Sequence, residues 1–245
     1  MTAAPATKGS VVVTGAASGI GFATTELLLA QEYRVVACDL ARGRLAQIDS
    51  EALHFDALDV RDAAALHASV EAEEARGHAI VGLVACAGII TRTPYLELDE
   101  GTFDRHLDIN LKGPFLCCQA VLPAMRRQGR GSIVLFSSSI ARAGSIKGAH
   151  YAASKGGVLG LMRSLALESA REGIRVNAIS PGVTDTPMPR GHASDEDVYA
   201  KAAKVPLGRI GPPDDMAQAV LFLLGEDSAY VTGQDLRVDG GATLF

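Results

Sequence analysis

The sequence predicts an α/β fold: a single doubly wound domain with a seven-stranded, mostly parallel sheet and helices on both faces. Two observations carry the prediction. Apolar runs alternate with amphipathic stretches almost from end to end, which implies right-handed crossovers between parallel strands. Most of the apolar runs are continuous, as strands covered on both faces require. A length of 245 residues suits one large domain, and there is no interior linker, low-complexity tract or repeat. Residues 1–245 are therefore read as one unit.

Taken in order, the strands fall at 10–14, 34–38, 52–58, 80–85, 132–136, 175–179 and 235–238. The helices fall at 19–31, 42–50, 62–76, 99–110, 113–127, 149–171 and 213–224. One long irregular stretch, 181–213, is rich in Pro, Gly and small polar residues. A connection of that length in a compact domain suits a functional lid, here placed at about residues 183–212.

With 48% apolar and 21% charged residues the composition is that of a packed globular protein and not of a disordered one. The net charge of −5 argues against nucleic acid or an anionic membrane as the main partner. The first ten residues carry no apolar signal core, and no uncharged run is long enough to span a bilayer, so a cytoplasmic protein is expected. Cys38, Cys86, Cys117 and Cys118 lie in apolar stretches without metal-ligand spacing. They read as buried, reduced thiols, and no metal site is expected.

Residues 11–21 read VVVTGAASGIG: a buried strand, a glycine turn and the start of a helix. Such a turn brings backbone N–H groups up to a pyrophosphate, where any Cβ would obstruct the approach. The helix N-terminus then meets the anion with unpaired donors and its positive dipole end. Gly15, Gly19 and Gly21 depart in spacing from the G-x-G-x-x-G fingerprint, and a plain strand-to-helix turn is the competing reading. Asp39 adds weight, since it ends the second strand 24 residues after Gly15, where a carboxylate can accept from adenosine ribose hydroxyls. The same carboxylate repels a 2′-phosphate. Neither Ser18 nor Leu40 supplies a cation for one, and Arg42 and Arg44 sit inside the next predicted helix. NAD is therefore favoured over NADP. Asp59-Val60 follows the third strand, where Asp59 either holds the adenine edge or, like Asp62, caps a helix. Ala87-Gly88 follows the fourth strand, where backbone must again pass close to the cofactor.

Tyr151 and Lys155 stand four apart in a helical segment and share a face, with Ser138 thirteen residues before Tyr151. A phenol can donate the proton that ketone reduction needs, but its ordinary pKa of about 10 is too high near neutrality. A nearby ammonium is expected to lower it. A Tyr–Lys pair by itself is usually an amphipathic surface pair; beside the nucleotide half it gains meaning.

These residues resemble the short-chain dehydrogenase/reductase family over nearly the whole chain. Thr14-Gly15-Ala16-Ala17-Ser18-Gly19-Ile20-Gly21 matches its T-G-x-x-x-G-x-G cofactor motif, and Ser138, Tyr151 and Lys155 match its S…Y-x-x-x-K motif. Asn110, in INLKGPF, matches the helix asparagine of its catalytic tetrad. The resemblance implies a Rossmann-type fold. It also implies that Asn110 holds, through its backbone carbonyl, a water linking Lys155 to solvent, and that Lys155 also binds the nicotinamide ribose. Residues 181–186 match the segment that cradles the carboxamide: Pro181, Gly182, Val183, Thr184 and Asp185, with Thr186 as the hydroxyl contact. Where the family shows N-N-A-G, this chain has Ala85-Cys86-Ala87-Gly88, and Cys86 reads as a small buried apolar residue. Val231-Thr232-Gly233-Gln234 through Val238-Asp239-Gly240-Gly241 resembles the family's C-terminal strand and loop.

The cofactor residues implied are thus Gly15, Ser18, Gly19, Ile20, Asp39, Asp59, Val60, Ala87, Gly88, Asn110, Tyr151, Lys155 and 181–184 with Thr186. The function implied is an NAD(H)-dependent oxidoreductase interconverting a secondary alcohol (polyol, sugar or hydroxy acid-like) and its ketone, with Tyr151 as general acid/base. The alternative is an NADPH-dependent 3-oxoacyl-[acyl-carrier-protein] reductase, against which Asp39 speaks. A non-catalytic dinucleotide-binding regulator is a third reading, against which the intact tetrad speaks. Substrate candidates are Ile90, Arg92, Ile140, Ser145, Lys147, Met188, Arg190 and His192. Their basic members suggest an anionic or polyhydroxylated substrate, or else solvated surface charge. His150 reads as a packing or surface residue. The resemblance further implies a homotetramer, paired through the helices at 113–127 and 149–171, to which an apolar end at Leu244-Phe245 is suited.

Overall fold

A computed structural model describes residues 8–190 and 202–244. Seven strands form one sheet: β1 (Ser10–Thr14), β2 (Arg34–Asp39), β3 (Leu53–Ala57), β4 (Ile80–Ala85), β5 (Gly131–Phe136), β6 (Ile174–Pro181) and β7 (Asp235–Val238). Their order is β3-β2-β1-β4-β5-β6-β7. Every pairing is parallel, so the expected "mostly parallel" sheet is parallel throughout. After β1 the chain turns one way to β2 and β3, and from β4 onward it builds the other way. The crevice beyond the carboxyl ends of β1 and β4 is therefore the topological switch point, where ligands bind in such sheets.

The helices are α1 (Gly19–Ala30), α2 (Ala63–Ala75), α3 (Glu100–Leu107), α4 (Gly113–Gln128), α5 (Ile140–Ala143), α6 (Ala149–Ser169), α7 (Pro187–Arg190) and α8 (Pro213–Leu224). They cover both faces because alternate strand residues point opposite ways. Val11 and Val13 pack with Phe22 and Leu28 of α1 and with Met216, Val220 and Leu223 of α8. Val12 and Leu83 pack with Leu66 of α2, Val121 of α4 and Met162 of α6. The continuous apolar runs thus fill two cores.

Three expectations change in the structure. The helix expected at 42–50 is a short 3₁₀ turn, Gly43–Gln47, with only Leu45 buried. A single inward side chain gives an amphipathic helix too little to pack against. The helices expected at 99–110 and 113–127 are joined without a loop, because a π-helical turn at Asp108–Lys112 links α3 to α4. The stretch expected to be irregular carries regular structure, since β6 runs on to Pro181, Thr184 bridges to Gly211 and α7 makes one helical turn. The rest of the expected lid, residues 191–201, lies outside the described residues, as does Phe245.

All four cysteines are free thiols. Among the described residues no helix is long and apolar enough to cross a membrane. The sheet is tied to α2 by Glu73, whose buried carboxylate accepts from Ser10 Oγ (2.7 Å), Arg34 Nε (3.2 Å) and Arg76 Nη1 (3.1 Å). His78 Nδ1 lies 3.0 Å from it. Burial works against the charge, but the hydrogen bonds from Ser10, Arg76 and Arg34 together hold the Glu73 carboxyl below its ordinary value.

Glu73→Ala leaves Ser10 and the two guanidinium groups without their acceptor, and is expected to cost about 3 kcal/mol in urea unfolding. Because its folded value is depressed, the Glu73 contribution is present above the unfolded carboxyl value of about 4.3 and is lost as the pH falls through the folded one. Wild type and variant should therefore converge in stability in acid. Equal stability at pH 7 would show that the cluster carries none of this.

Candidate active site

At the end of β1 the chain must turn within contact of β4. A Cβ on Gly15 would stand 2.8 Å from Ala87, and Gly15 itself has φ +67°. A Cβ on Gly21 would stand 2.1 Å from the Gly15 carbonyl oxygen, so this glycine lets α1 close against the turn. Ser18 precedes α1 but makes no side-chain cap, and the first turn holds no carboxylate. The N–H groups at the helix start thus retain the anion-binding capacity that an unneutralised N-terminus has.

These residues border a cleft of about 310 Å³, whose lining includes Gly15, Ser18, Gly19, Ile20, Asp39, Asp59, Val60, Ala87, Gly88 and Thr186. Every cofactor residue expected from the nucleotide half is among them. Asp39 Oδ2 accepts from Ala17 N at 2.9 Å and Oδ1 from Leu40 N at 2.7 Å, so the carboxylate is fixed to the glycine turn with lone pairs to spare. Arg44 lies over the Phe22 ring, 3.9 Å from its centroid, a packing role. The two readings of Asp59 separate here. Asp62 caps α2 by accepting from Ala65 N, whereas Asp59 pairs with Arg61 through contacts of 2.6 to 3.1 Å. The Arg61 guanidinium holds the Asp59 carboxyl below its ordinary value. The glycine approach, the uncapped helix start and the oriented carboxylate fit a dinucleotide.

A second cavity, of about 220 Å³, shares Ile20, Cys86, Gly88, Thr186 and Met188 with the first. Ser138, Tyr151 and Lys155 line it, with Pro181, Gly182, Val183 and Thr184 on another side. β5 delivers Ser138 just past its carboxyl end, and α6 places Tyr151 and Lys155 on one face. All three are buried. Lys155 Nζ donates to the Phe136 carbonyl at 2.8 Å and lies 5.9 Å from the Tyr151 ring centroid. Ser137 Oγ donates to the Lys155 carbonyl at 2.9 Å.

The expected lowering of the Tyr151 pKa is not what this geometry gives. Burial pushes the phenol above its ordinary value, and the hydrogen bond from Ser138 pulls it back only partly. Burial also pulls the Lys155 amine down, to about 8. An amine that is itself desolvated and turned to a carbonyl is a weaker source of positive potential than a free ammonium.

Asn110 is wholly buried and lines neither cavity. Its side chain accepts from Ile89 N (2.8 Å) and donates to Ile89 O (2.9 Å) and Ser154 Oγ (3.1 Å), fastening the segment after β4 to α6. The sequence reading looked only to its backbone carbonyl. That carbonyl sits in the π-helical turn four residues before Pro114, which has no N–H to offer it. Of the two readings of His150, packing is the one the structure bears out: it is fully buried and hydrogen-bonded to Thr91. Periodicity put it on α6 but could not show what packs there.

Of the substrate candidates, Ile90, Arg92, Ile140 and Met188 line the second cavity, whereas Ser145 and Lys147 do not. The exposed Lys147 contributes its backbone instead, its carbonyl accepting from Thr93 N at 2.9 Å with φ +61°. Arg190 ends α7, and His192 lies outside the described residues.

A family model described as enoyl-(acyl carrier protein) reductase matches residues 15–243. The chain is 39% identical to a (3R)-3-hydroxyacyl-CoA dehydrogenase of Rattus norvegicus, over 94% of each protein. It is also 39% identical to a cis-4-hydroxycyclohexanecarboxylate dehydrogenase of Sinomonas cyclohexanicum, over 95% of each. A crystal structure of levodione reductase superposes with a TM-score of 0.89 at 34% identity, covering 96% of this chain and 97% of that one.

Gly21→Ala forces the Gly15 carbonyl aside, since backbone and not a flexible side chain meets the new methyl. The expected outcome is a lower Tm and dinucleotide binding weakened about tenfold or more, equal to 1.4 kcal/mol, read by NADH fluorescence. Unchanged binding would mean that the turn does not hold the phosphates.

Proposed function

The chain belongs to the short-chain dehydrogenase/reductase family, oxidoreductases of secondary alcohols and ketones, and from that membership we propose that it uses NAD(H) with Tyr151 as general acid/base. The observation that carries the reading is the convergence of Ser138, Tyr151 and Lys155 on one cavity that is continuous with the glycine-lined cleft.

When bound, the nicotinamide dinucleotide supplies hydride exchange with the carbinol carbon. The chain's own residues handle the proton and the positioning. The Ser138 hydroxyl holds the substrate oxygen, and the Tyr151 oxygen takes the alcohol proton in oxidation and returns it in reduction. Lys155 holds the nicotinamide ribose hydroxyls and passes the proton onward to a water on the Asn110 carbonyl. Pro181, Gly182, Val183 and Thr184 cradle the carboxamide end, with Thr186 as its hydroxyl contact. Asp39 accepts from the adenosine ribose, and Ser18, Gly19 and Ile20 present backbone to the pyrophosphate. Asp59, Val60, Ala87 and Gly88 border the adenine and central parts.

The choice of NAD rests on Asp39 and on the commitment of Arg44 to Phe22. The second reading, an NADPH-dependent 3-oxoacyl-[acyl-carrier-protein] reductase, draws support from the family description, itself a carrier-protein reductase. We place the enzyme in the cytoplasm as a homotetramer paired through α4 and α6. Phe115 on α4 and Leu167 on α6, 41% and 84% exposed, support that face as the interface.

Tyr151→Phe should lower kcat by about 10²- to 10⁴-fold while NADH still titrates the protein; retained turnover would overturn the mechanism. In a second measurement, wild type should give a higher kcat/KM with NAD than with NADP. Asp39→Ala should narrow that ratio about tenfold or more. An NADP preference in wild type would favour the second reading.

A further inference from the structure

The segment after β4 is held at three successive places. Ile89 is gripped at both N and O by Asn110. Thr93 N donates to the Lys147 carbonyl at 2.9 Å. Between them Thr91 sits against a histidine pair, His106 and His150, whose rings meet edge to face at 4.2 Å. His106 Nδ1 lies 2.8 Å from the Thr102 carbonyl, so that nitrogen carries the proton and Nε2 accepts. His150 Nε2 lies 3.2 Å from the Thr91 carbonyl, so it donates. The Thr91 hydroxyl, 3.0 Å from His150 Nε2 and 3.4 Å from His106 Nε2, then accepts from the first and donates to the second. One consistent run of hydrogen bonds fixes the segment.

Between the held positions Ile89, Thr91 and Thr93, the side chains of Ile90 and Arg92 turn to the substrate cavity. Arg92 has no hydrogen bond or ion pair among the described residues, and its side chain is exposed. Across the same cavity lie Ile140, Val183 and Met188. Among the described residues no Asp or Glu lines the cavity, whereas two cations do, Lys155 and Arg92. Lys155 is buried, donates to the Phe136 carbonyl and is assigned above to the cofactor ribose. Arg92 is therefore a cation presented by a rigid backbone at an apolar cavity, with its planar fork of donors uncommitted.

We infer that Arg92 is the specificity residue of this site, and that the substrate is a secondary alcohol or ketone with an apolar body and an anionic group away from the carbinol. The inference rests on the dehydrogenase reading above. The anion is a carboxylate or phosphate, since both match a guanidinium fork. It is either the substrate's own acid group or the phosphates of a thioester carrier.

The test compares charged and neutral partners of two substrates. One pair is 4-hydroxycyclohexanecarboxylate and its methyl ester; the other is 3-hydroxybutyryl-CoA and the same acyl group on N-acetylcysteamine. The quantity read is the ratio of kcat/KM, charged over neutral, for wild type, Arg92→Lys and Arg92→Gln, with Tm as the check on folding. Wild type should favour the charged partner in at least one pair. Arg92→Gln should cut that ratio about tenfold or more, and Arg92→Lys should retain part of it. A response in the first pair assigns the anion to the substrate's own acid, and in the second to carrier phosphate. No charge preference in wild type, or one that Arg92→Gln leaves in place, overturns the inference while turnover of the neutral partners sustains the dehydrogenase reading. Turnover of no partner with either cofactor would sink that reading, and this inference with it.

Discussion

The approach of the β1 turn to the β4 turn governs the rest of the molecule. Gly15 lies so near Ala87 that a single methyl group would separate them. Because they meet, the carboxyl ends of two neighbouring strands open into one crevice, and α1 begins there with its dipole toward it. The strands at the two sides of the switch point then deliver different chemistry. β2 brings Asp39 to the cleft beside the glycine turn, and β5 brings Ser138 to the second cavity. The cleft and the cavity are continuous because Ile20, Cys86, Gly88, Thr186 and Met188 border both.

Burial is the second constraint, and it acts on charge. Lys155 sits inside the protein against a carbonyl, and its amine is drawn down to about 8. Tyr151 is buried beside it and moves the other way. Desolvation opposes the charged form of each group, so the phenolate and the ammonium are both disfavoured until something compensates. An oxidised nicotinamide carries positive charge and would act on the phenol in the direction expected of Lys155. Elsewhere the chain meets the same cost with hydrogen bonds, as the three that Ser10, Arg34 and Arg76 donate to Glu73 demonstrate.

Much of the fold was legible in the sequence because its signals are local. Apolar runs, most of them continuous, marked the seven strands, with ends off by no more than a residue or two. The glycine turn was legible because only residues without Cβ tolerate that approach, and Asp39 because strand length fixes where a strand ends. What failed were elements whose form depends on packing. Residues 42–50 look amphipathic but bury only Leu45, so they wind into a short 3₁₀ turn. The break expected between 110 and 113 is a π-helical turn, since the wider winding keeps Asn110 inward while α3 runs on into α4.

The chain's order of residues by itself determined the strand succession, the glycine turn, the acidic end of β2 and the Tyr151–Lys155 face of α6, because each is a property of neighbours along the backbone. Only the tertiary structure decided how the pieces combine. It gave Asn110 a side-chain role at Ile89, set His150 and His106 around Thr91, and left Arg92 without a partner among the described residues. It also set the sense in which Tyr151 and Lys155 shift. These outcomes depend on which groups are brought together from distant parts of the chain and on how much water is excluded around them, and neither quantity is written in local spacing.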